Sequence, residues 1–97
     1  MVRMIALIRI RNASDFALYR ERVPETLKPF DGELRFRAEA PITLDDENGL
    51  GDFSQIALFW FPSKEAMVGW YESDAYHDLL ELRASAGAFT IIGVDPD

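Results

Sequence analysis

The sequence predicts an α+β domain with the element order β-α-β-β-α-β and four strands in one antiparallel sheet. Three segments, residues 2–11, 53–61 and 87–94, carry apolar side chains at both odd and even positions, as in strands covered on both faces. A fourth segment, residues 32–40, alternates between apolar and charged side chains, which indicates an edge strand or one with a polar face. Its predicted apolar face consists of Leu34, Phe36 and Ala38, and its polar face of Glu33, Arg35, Arg37 and Glu39.

The first helix is predicted over residues 14–30, where apolar side chains recur every three or four positions. Ser14 or Asp15 can accept the free amide hydrogens at its start. Pro24 has no amide hydrogen and clashes with the preceding turn, so we expect a kink or a break near Val23. The predicted apolar stripe consists of Phe16, Tyr19, Val23, Leu27 and Phe30.

Residues 61–83 contain both tryptophans, two of the three tyrosines and the only histidine. Their spacing predicts two short helices. The first begins after Pro62 at Ser63, and the chain is capped again at Ser73 and Asp74. The predicted inward-facing side chains are Met67, Trp70 and Tyr71 on the first helix and Tyr76, Leu79, Leu80 and Arg83 on the second, and Gly87 suits the final C-terminal cap.

This order of elements is that of the ferredoxin-like fold, whose antiparallel sheet has the strand order 4-1-3-2. A chain of 97 residues forms one domain, residues 1–97. Helices cover only one face of such a sheet, and the other face is still rich in Ile, Leu and Phe. Each fully buried side chain of this size contributes about 1.5–3 kcal/mol, so we expect a second copy to cover that face and form a homodimer.

Composition excludes several classes of partner. The net charge of −7 argues against binding to nucleic acid, although residues 1–37 carry +3 and residues 38–97 carry −10. The longest apolar run, residues 56–61, is too short to span a membrane. The absence of cysteine fits a cytoplasmic protein. The acidic loop at residues 41–52 lacks the ligand spacing of a calcium site, so no metal site is expected there.

Two segments of the chain resemble domain-of-unknown-function family 1330, whose members are bacterial, cofactor-free, ferredoxin-like homodimers. The matching residues are Tyr19, Val23, Pro24, Thr26, Leu27, Pro29, Phe30, Gly32 and Arg37, and then Phe61, Pro62, Ser63, Glu65, Ala66, Trp70, Tyr71, Ser73, Tyr76, Leu79, Leu82 and Arg83. The resemblance implies that two sheets pair into a dimeric α+β barrel, and it implies no particular reaction. Distant relatives in that superfamily include enzymes that use a pocket between sheet and helices. The chain departs from the family pattern at Asp31, Ala38, Glu39, Trp60 and Ala75.

His77 is the obvious candidate for a general base, since imidazole titrates near neutral pH. However, Asp74, Asp78 and Glu81 surround it in sequence and favour the charged imidazolium. It also lies off the apolar stripe of its helix. We therefore interpret His77 as a surface residue, and a lone histidine does not predict a metal site.

Arg37 and Arg83 are stronger candidates, because a guanidinium can bind a carboxylate through two parallel hydrogen bonds. Arg83 shares a helix face with leucines, where an unpaired charge is costly, so it needs a partner. That partner is either structural, a carboxylate or backbone carbonyls, or an anionic ligand. Tyr19, Tyr71 and Tyr76 are predicted to turn toward the sheet, with hydroxyls that can line a pocket. The candidate ligand-binding residues are therefore Tyr19, Arg37, Tyr71, Tyr76 and Arg83.

The sequence favours a homodimer that binds a small anionic or aromatic metabolite between sheet and helices, as a binding protein or as a cofactor-free enzyme. No catalytic residue is assigned. The alternative is a non-catalytic structural or regulatory module in which all these aromatic residues only pack. A binding site should show Arg37 or Arg83 in a polar cluster that faces a cavity. A packing-only protein should show both arginines paired with Asp or Glu and no void.

Overall fold

The computed structural model describes residues 1–96 and contains four strands and four α-helices within them. The strands are β1 (Val2–Ile10), β2 (Glu33–Glu39), β3 (Gln55–Phe61) and β4 (Gly87–Val94), and the helices are α1 (Ala13–Leu27), α2 (Lys64–Glu72), α3 (Asp74–His77) and α4 (Leu80–Ala86). The strands form one sheet in the order β2-β3-β1-β4, with all neighbours antiparallel. This is the predicted order 4-1-3-2 read from the other edge, so the predicted fold is confirmed.

The core lies between the sheet and the helices. Phe61, Trp70 and Tyr76 are its largest fully buried side chains, and they meet where β3, α2 and α3 pack together. The indole Nε1 of Trp70 donates to Thr26 Oγ1 at 2.9 Å, and the Thr26 hydroxyl donates to the Val23 carbonyl at 2.6 Å. The polar atoms that Trp70 and Thr26 bring into the core are therefore paired, as buried polar groups must be.

Helix α1 differs from the prediction in its N-terminal cap and in its continuity near Val23. Its N-terminal cap is Asn12, whose Oδ1 accepts from the Asp15 amide at 3.0 Å, and not Ser14 or Asp15. Of the predicted kink or break near Val23, the break is wrong, because α1 continues through Pro24 to its end at Leu27. Pro24 and the residue four positions before it, Arg20, are both exposed, so the carbonyl that lacks a helical hydrogen bond is on the solvent side.

The predicted helix starts in residues 63–74 are confirmed. The hydroxyl of Ser63 accepts from the Ala66 amide at 3.1 Å and begins α2, and the hydroxyl of Ser73 accepts from the Tyr76 amide at 3.2 Å and begins α3. The second predicted helix is divided, because α3 ends at His77 and α4 starts at Leu80. Within residues 1–96, no helix combines the length and the hydropathy needed to cross a membrane.

Strand β2 contains a bulge that changes which side chains share a face. Leu34 lies opposite Phe59, but the next pairs are Phe36 with Leu58 and Arg37 with Ala57, so the register shifts between Leu34 and Phe36. An extra residue in one strand moves every later side chain to the other face. The prediction that Leu34 and Phe36 share a face is therefore wrong. Leu34 and Arg37 lie on the helix side, and Phe36 lies on the opposite side.

The face of the sheet away from the helices has no covering element within residues 1–96, and we call it the open face. Its apolar side chains are Ile5, Leu7, Phe36, Ile56, Leu58, Ile92 and Val94. Phe36 remains 57% exposed there. Arg3 and Arg35 stack over the ring of Trp60 at the same face, with guanidinium carbons 4.7 and 4.0 Å from its centroid. The open face is thus an apolar surface on which Arg3 and Arg35 stack over Trp60.

Candidate functional site

A solvent-open cleft of about 270 Å³ lies between α2 and the helix side of β1 and β4. We call it the Arg83 cleft. Its lining consists of Met4, Met67, Val68, Tyr71, Glu72, Arg83, Phe89, Ile91 and Gly93. Strands β1 and β4 contribute the apolar wall, while α2 and α4 contribute the polar groups. A cleft with an apolar wall and a few converging polar groups is typical of small-molecule sites.

The wall of the cleft depends on a close approach between α2 and β4. A Cβ atom at Gly93 would overlap the Cε and Sδ atoms of Met67, so a larger residue at this position would displace the flexible end of the Met67 side chain. Met67 therefore rests directly on the backbone of β4. The neighbouring Trp70, buried in the core, fixes the rotation of α2. As a result, Tyr71 and Glu72 are placed at the cleft.

Arg83 is held in position by a chain of hydroxyl groups. Its Nη1 donates to the Tyr76 hydroxyl at 2.9 Å, and that hydroxyl lies 2.8 Å from the hydroxyl of Tyr19. The guanidinium carbon also lies 5.9, 5.8 and 5.6 Å from the ring centroids of Tyr71, Tyr76 and Phe89. Three aromatic rings and one hydrogen bond thus restrict a side chain that is otherwise highly flexible.

In the described part of the chain the charge of Arg83 is not paired directly with a carboxylate, although Glu72 lines the same cleft. Within residues 1–96, no Asp or Glu forms an ion pair with it. Partial burial lowers the pKa of Arg83, but the hydrogen bond to Tyr76 and its electrostatic interaction raise that pKa, and the net shift is upward. Burial, followed by the neighbouring Tyr76, raises the pKa of Tyr19 well above its usual value. The site therefore combines a permanent positive charge with a phenol that stays protonated.

The structure brings together four of the five predicted site residues. Tyr19, Tyr76 and Arg83 form the hydrogen-bonded chain, and Tyr71 forms one wall of the cleft. Tyr71 does not turn fully toward the core as predicted, because it remains 37% exposed. Arg37 lies apart from this group, on β2, where it lines a different cavity.

His77 is exposed on α3, which confirms the interpretation of this histidine as a surface residue. Its ring centroid lies 6.5 Å from that of Tyr71, and it does not line the cleft. Among residues 1–96, no cluster of three or more His, Cys, Asp or Glu side chains could hold a metal ion.

Sequence reasoning missed Glu72 and Phe89 as cleft residues. Phe89 follows from the alternation of β4 once the register is known, because it pairs with Ile8 on the helix side. Glu72 is the last residue of α2 and lies beside Tyr71, so only the position of the helix end could have indicated it. Neither residue carries a motif that would have identified it from sequence.

A second cavity, of about 70 Å³, lies under α1 on the helix side of the sheet. We call it the α1 cavity. It shares Met4, Phe89 and Ile91 with the Arg83 cleft, but its rim consists of other residues. The two arginines predicted as one ligand site therefore belong to two neighbouring cavities.

The sequence from residue 2 to residue 96 matches the family model described as Domain of unknown function (DUF1330). The chain belongs to the DUF1330 family. The resemblance noted in the tyrosine- and arginine-containing segments is therefore confirmed over nearly the whole chain. Among curated proteins, none matches the sequence.

Solved structures show the same fold at low sequence identity. A protein of unknown function from Rhodopseudomonas palustris has a TM-score of 0.79 and 17% identity, covering 99% of this DUF1330 chain and 82% of its own. A protein from Thermobifida fusca has a TM-score of 0.62, 14% identity and coverage of 96% and 88%. One from Jannaschia has a TM-score of 0.61, 15% identity and coverage of 97% for both chains. The last two are described as dimeric ferredoxin-like proteins of unknown function.

Proposed function

We propose that the protein is a homodimer that binds a small carboxylate in the Arg83 cleft of each copy. The two copies associate through their open faces and form a dimeric α+β barrel. The uncovered row of apolar side chains on this face supports the assembly, because burial of such a row against a second sheet removes it from water. The dimeric descriptions of the Thermobifida fusca and Jannaschia proteins agree with it.

One observation carries the binding proposal: the guanidinium of Arg83 lines an open cleft and has no carboxylate partner within residues 1–96. A guanidinium with free N–H groups in a partly apolar site attracts a carboxylate more strongly than it does in water. The Tyr76 hydroxyl accepts from Nη1 and the Tyr71 side chain also interacts with the guanidinium, which leaves the remaining N–H groups for a ligand. Arg83 therefore supplies the anion-binding group.

The rest of the cleft selects the body of the ligand. Met4, Phe89 and Ile91 form an apolar wall, which fits an aromatic ring or an aliphatic chain. The cleft volume of about 270 Å³ exceeds the roughly 150 Å³ of a cavity that holds benzene. An aromatic carboxylate such as benzoate fits this combination of charge, shape and volume.

Binding without turnover is the activity that the geometry supports best. The phenol of Tyr19 remains protonated, so it can orient Tyr76 but does not accept a proton from a ligand. His77 does not line the cleft. We further propose that the protein is bacterial and cytoplasmic and binds its ligand without a metal or organic cofactor, in line with its lack of cysteine and with the properties that the family resemblance implied.

The alternative is a non-catalytic structural or regulatory dimer. It is favoured by the complete burial of Trp70 and Tyr76, which is what packing alone requires. In that case Arg83 only fills space beside Tyr76, and the cleft has no ligand. The two proposals differ in what an added carboxylate does to the stability of the protein.

Thermal unfolding with added benzoate tests the binding proposal. We expect millimolar benzoate to raise the Tm of the wild type by several degrees, because about 1 kcal/mol of ligand-linked stabilisation shifts Tm by about 4–8 °C in a domain of this size. Neutral benzamide should have no such effect. The shift should disappear in Arg83→Gln and remain in Arg22→Gln, which removes the same charge from an exposed position on α1. An equal shift in Arg83→Gln, or none in the wild type, would exclude Arg83 as the anion-binding group.

A further inference from the structure

We propose that the α1 cavity is a second binding site, separate from the Arg83 cleft, for a short keto or hydroxy acid. The carboxylate of this acid lies between Arg20 and Arg37 at the rim, and its carbonyl or hydroxyl group forms a hydrogen bond with the Gln55 amide inside. The inference goes beyond the proposed carboxylate site at Arg83, because it involves another cavity and other polar residues.

The α1 cavity has the size of a small organic group. Its volume is about 70 Å³, and its walls come from α1 and from the helix side of the sheet and are almost entirely apolar. A cavity of roughly 150 Å³ holds benzene, so this one holds about three non-hydrogen atoms. The acetyl end of a short acid, with three non-hydrogen atoms, therefore fits inside while the methylene groups and the carboxylate extend to the rim, and an aromatic ring does not fit.

Gln55 is the unusual residue of this cavity. It is only 2% exposed and its side-chain amide has no hydrogen-bond partner within residues 1–96, but its polar atoms keep some accessible surface, whereas Trp60 Nε1 is both fully buried and unpaired. Buried amides in proteins almost always have partners, because the amide loses its hydrogen bonds to water on burial. Gln55 lines the cavity, so a group inside it can accept from the amide nitrogen or donate to the amide oxygen. An unpaired amide at the wall of an apolar cavity is thus a position for a ligand with a carbonyl or hydroxyl group.

The rim of the cavity carries two arginines from different elements. Arg20 and Pro24 are four residues apart on α1, so they lie on the same side of that helix, and both are exposed. Arg37 faces them from β2, because the bulge places it opposite Ala57 on the helix side. Within residues 1–96, neither arginine forms an ion pair, even though Glu39 follows Arg37 two positions along the same strand. Both guanidiniums are therefore available to a carboxylate.

The spacing along the sheet sets the length of the ligand. Arg37 pairs with Ala57, and Gln55 lies two residues along β3 on the same face. Such diagonal neighbours in an antiparallel sheet are about 7–8 Å apart. A carboxylate and a carbonyl separated by two methylene groups can bridge side chains at this distance. The compound 4-oxopentanoate has this arrangement, and pentanoate has the same length without the carbonyl.

Calorimetric titration with these two acids tests the proposal, and the Arg83→Gln protein is used so that the other cleft does not contribute. We expect 4-oxopentanoate to bind about tenfold more tightly than pentanoate, because only the former satisfies the Gln55 amide. In Gln55→Met the two acids should bind equally. In Arg37→Gln both should bind several-fold more weakly. The control Arg22→Gln should match the background protein.

A measurement on the unmodified protein keeps the test independent of how the variants fold. We expect the side-chain amide resonance of Gln55 to shift more at saturation with 4-oxopentanoate than at saturation with pentanoate, because only the former forms a hydrogen bond with it. If neither acid binds, if both bind equally well, or if the preference persists in Gln55→Met, the α1 cavity is not the site proposed. Because benzoate does not fit this cavity, its effect on Tm reports on the Arg83 cleft alone, and the two proposals can fail separately.

Discussion

On the helix side of the sheet Phe61, Trp70 and Tyr76 are fully enclosed, whereas on the open face Phe36 remains 57% exposed. The two faces belong to the same four strands, and they differ because only one of them is covered by helices. Helices α1 to α4 all lie on one side, and within residues 1–96 nothing is left for the other. The covered side contains both cavities, so it is suited to ligands, and the open face is suited to a second copy.

A charge placed on the open face should have the largest effect. We expect Phe36→Asp to dissociate the dimer, because association would bury one carboxylate per copy in an apolar contact at a cost of several kcal/mol each. Light scattering should give about 11.0 kDa for this variant and about twice that mass for the wild type. A wild type that is monomeric at micromolar concentration would refute the open-face assembly.

Leu34→Asp is the matched control for this substitution. Leu34 and Phe36 are on the same strand and have similar exposure, 48% and 57%, but the bulge turns them to opposite faces. Leu34→Asp should therefore leave the dimer intact. Dissociation by both substitutions would mean that the two side chains share a face and that the bulge is not present in solution.

On the covered side, we expect Trp70→Ala to lower the free energy of unfolding by about 3–5 kcal/mol, the usual cost of removing a large buried aromatic side chain. That is a large fraction of the roughly 5–15 kcal/mol that stabilises a typical domain. Urea unfolding measures the change. Leu18→Ala, at an exposed position of α1, should change it by less than about 0.5 kcal/mol. Similar losses in both variants would show that the helix side is packed more loosely than the structure indicates.

The sequence was sufficient for the fold because strand and helix periodicity are local signals. The apolar runs of β1, β3 and β4, and the hydroxyl caps at Ser63 and Ser73, all identified elements that the structure contains. The cap of α1 was misplaced, since Asn12, Ser14 and Asp15 are all good caps and only the approach of the chain decides among them. The bulge in β2 was also missed, because its register depends on pairing with β3.

The sequence identified individual residues of the candidate site, but it did not show which of them contact each other. Arg83 and Tyr76 were predicted on one helix face, but they lie on two helices, α4 and α3, and a hydrogen bond joins them across the break between these helices. The contact with Tyr19 joins positions 57 residues apart and requires the packing of α1 against α3. Arg37 was grouped with Arg83, although the bulge directs it to the rim of the other cavity. Local sequence patterns therefore did not predict the interactions that depend on tertiary packing.

The smallest effect concerns the buried hydroxyl of Tyr19 on the covered side. Burial raises the pKa of Tyr19 in the folded protein above its usual value of 10.0. Below pH 10 both states hold the proton, and stability does not depend on this group. Above pH 10 the unfolded chain releases the proton and the folded chain keeps it, so stability falls by up to about 1.4 kcal/mol per pH unit. Tyr19→Phe should remove this part of the loss, and urea unfolding from pH 9 to pH 11 measures it. Identical pH dependence in both proteins would mean that the Tyr19 hydroxyl is open to water and that the covered side is less tightly closed than its contacts indicate.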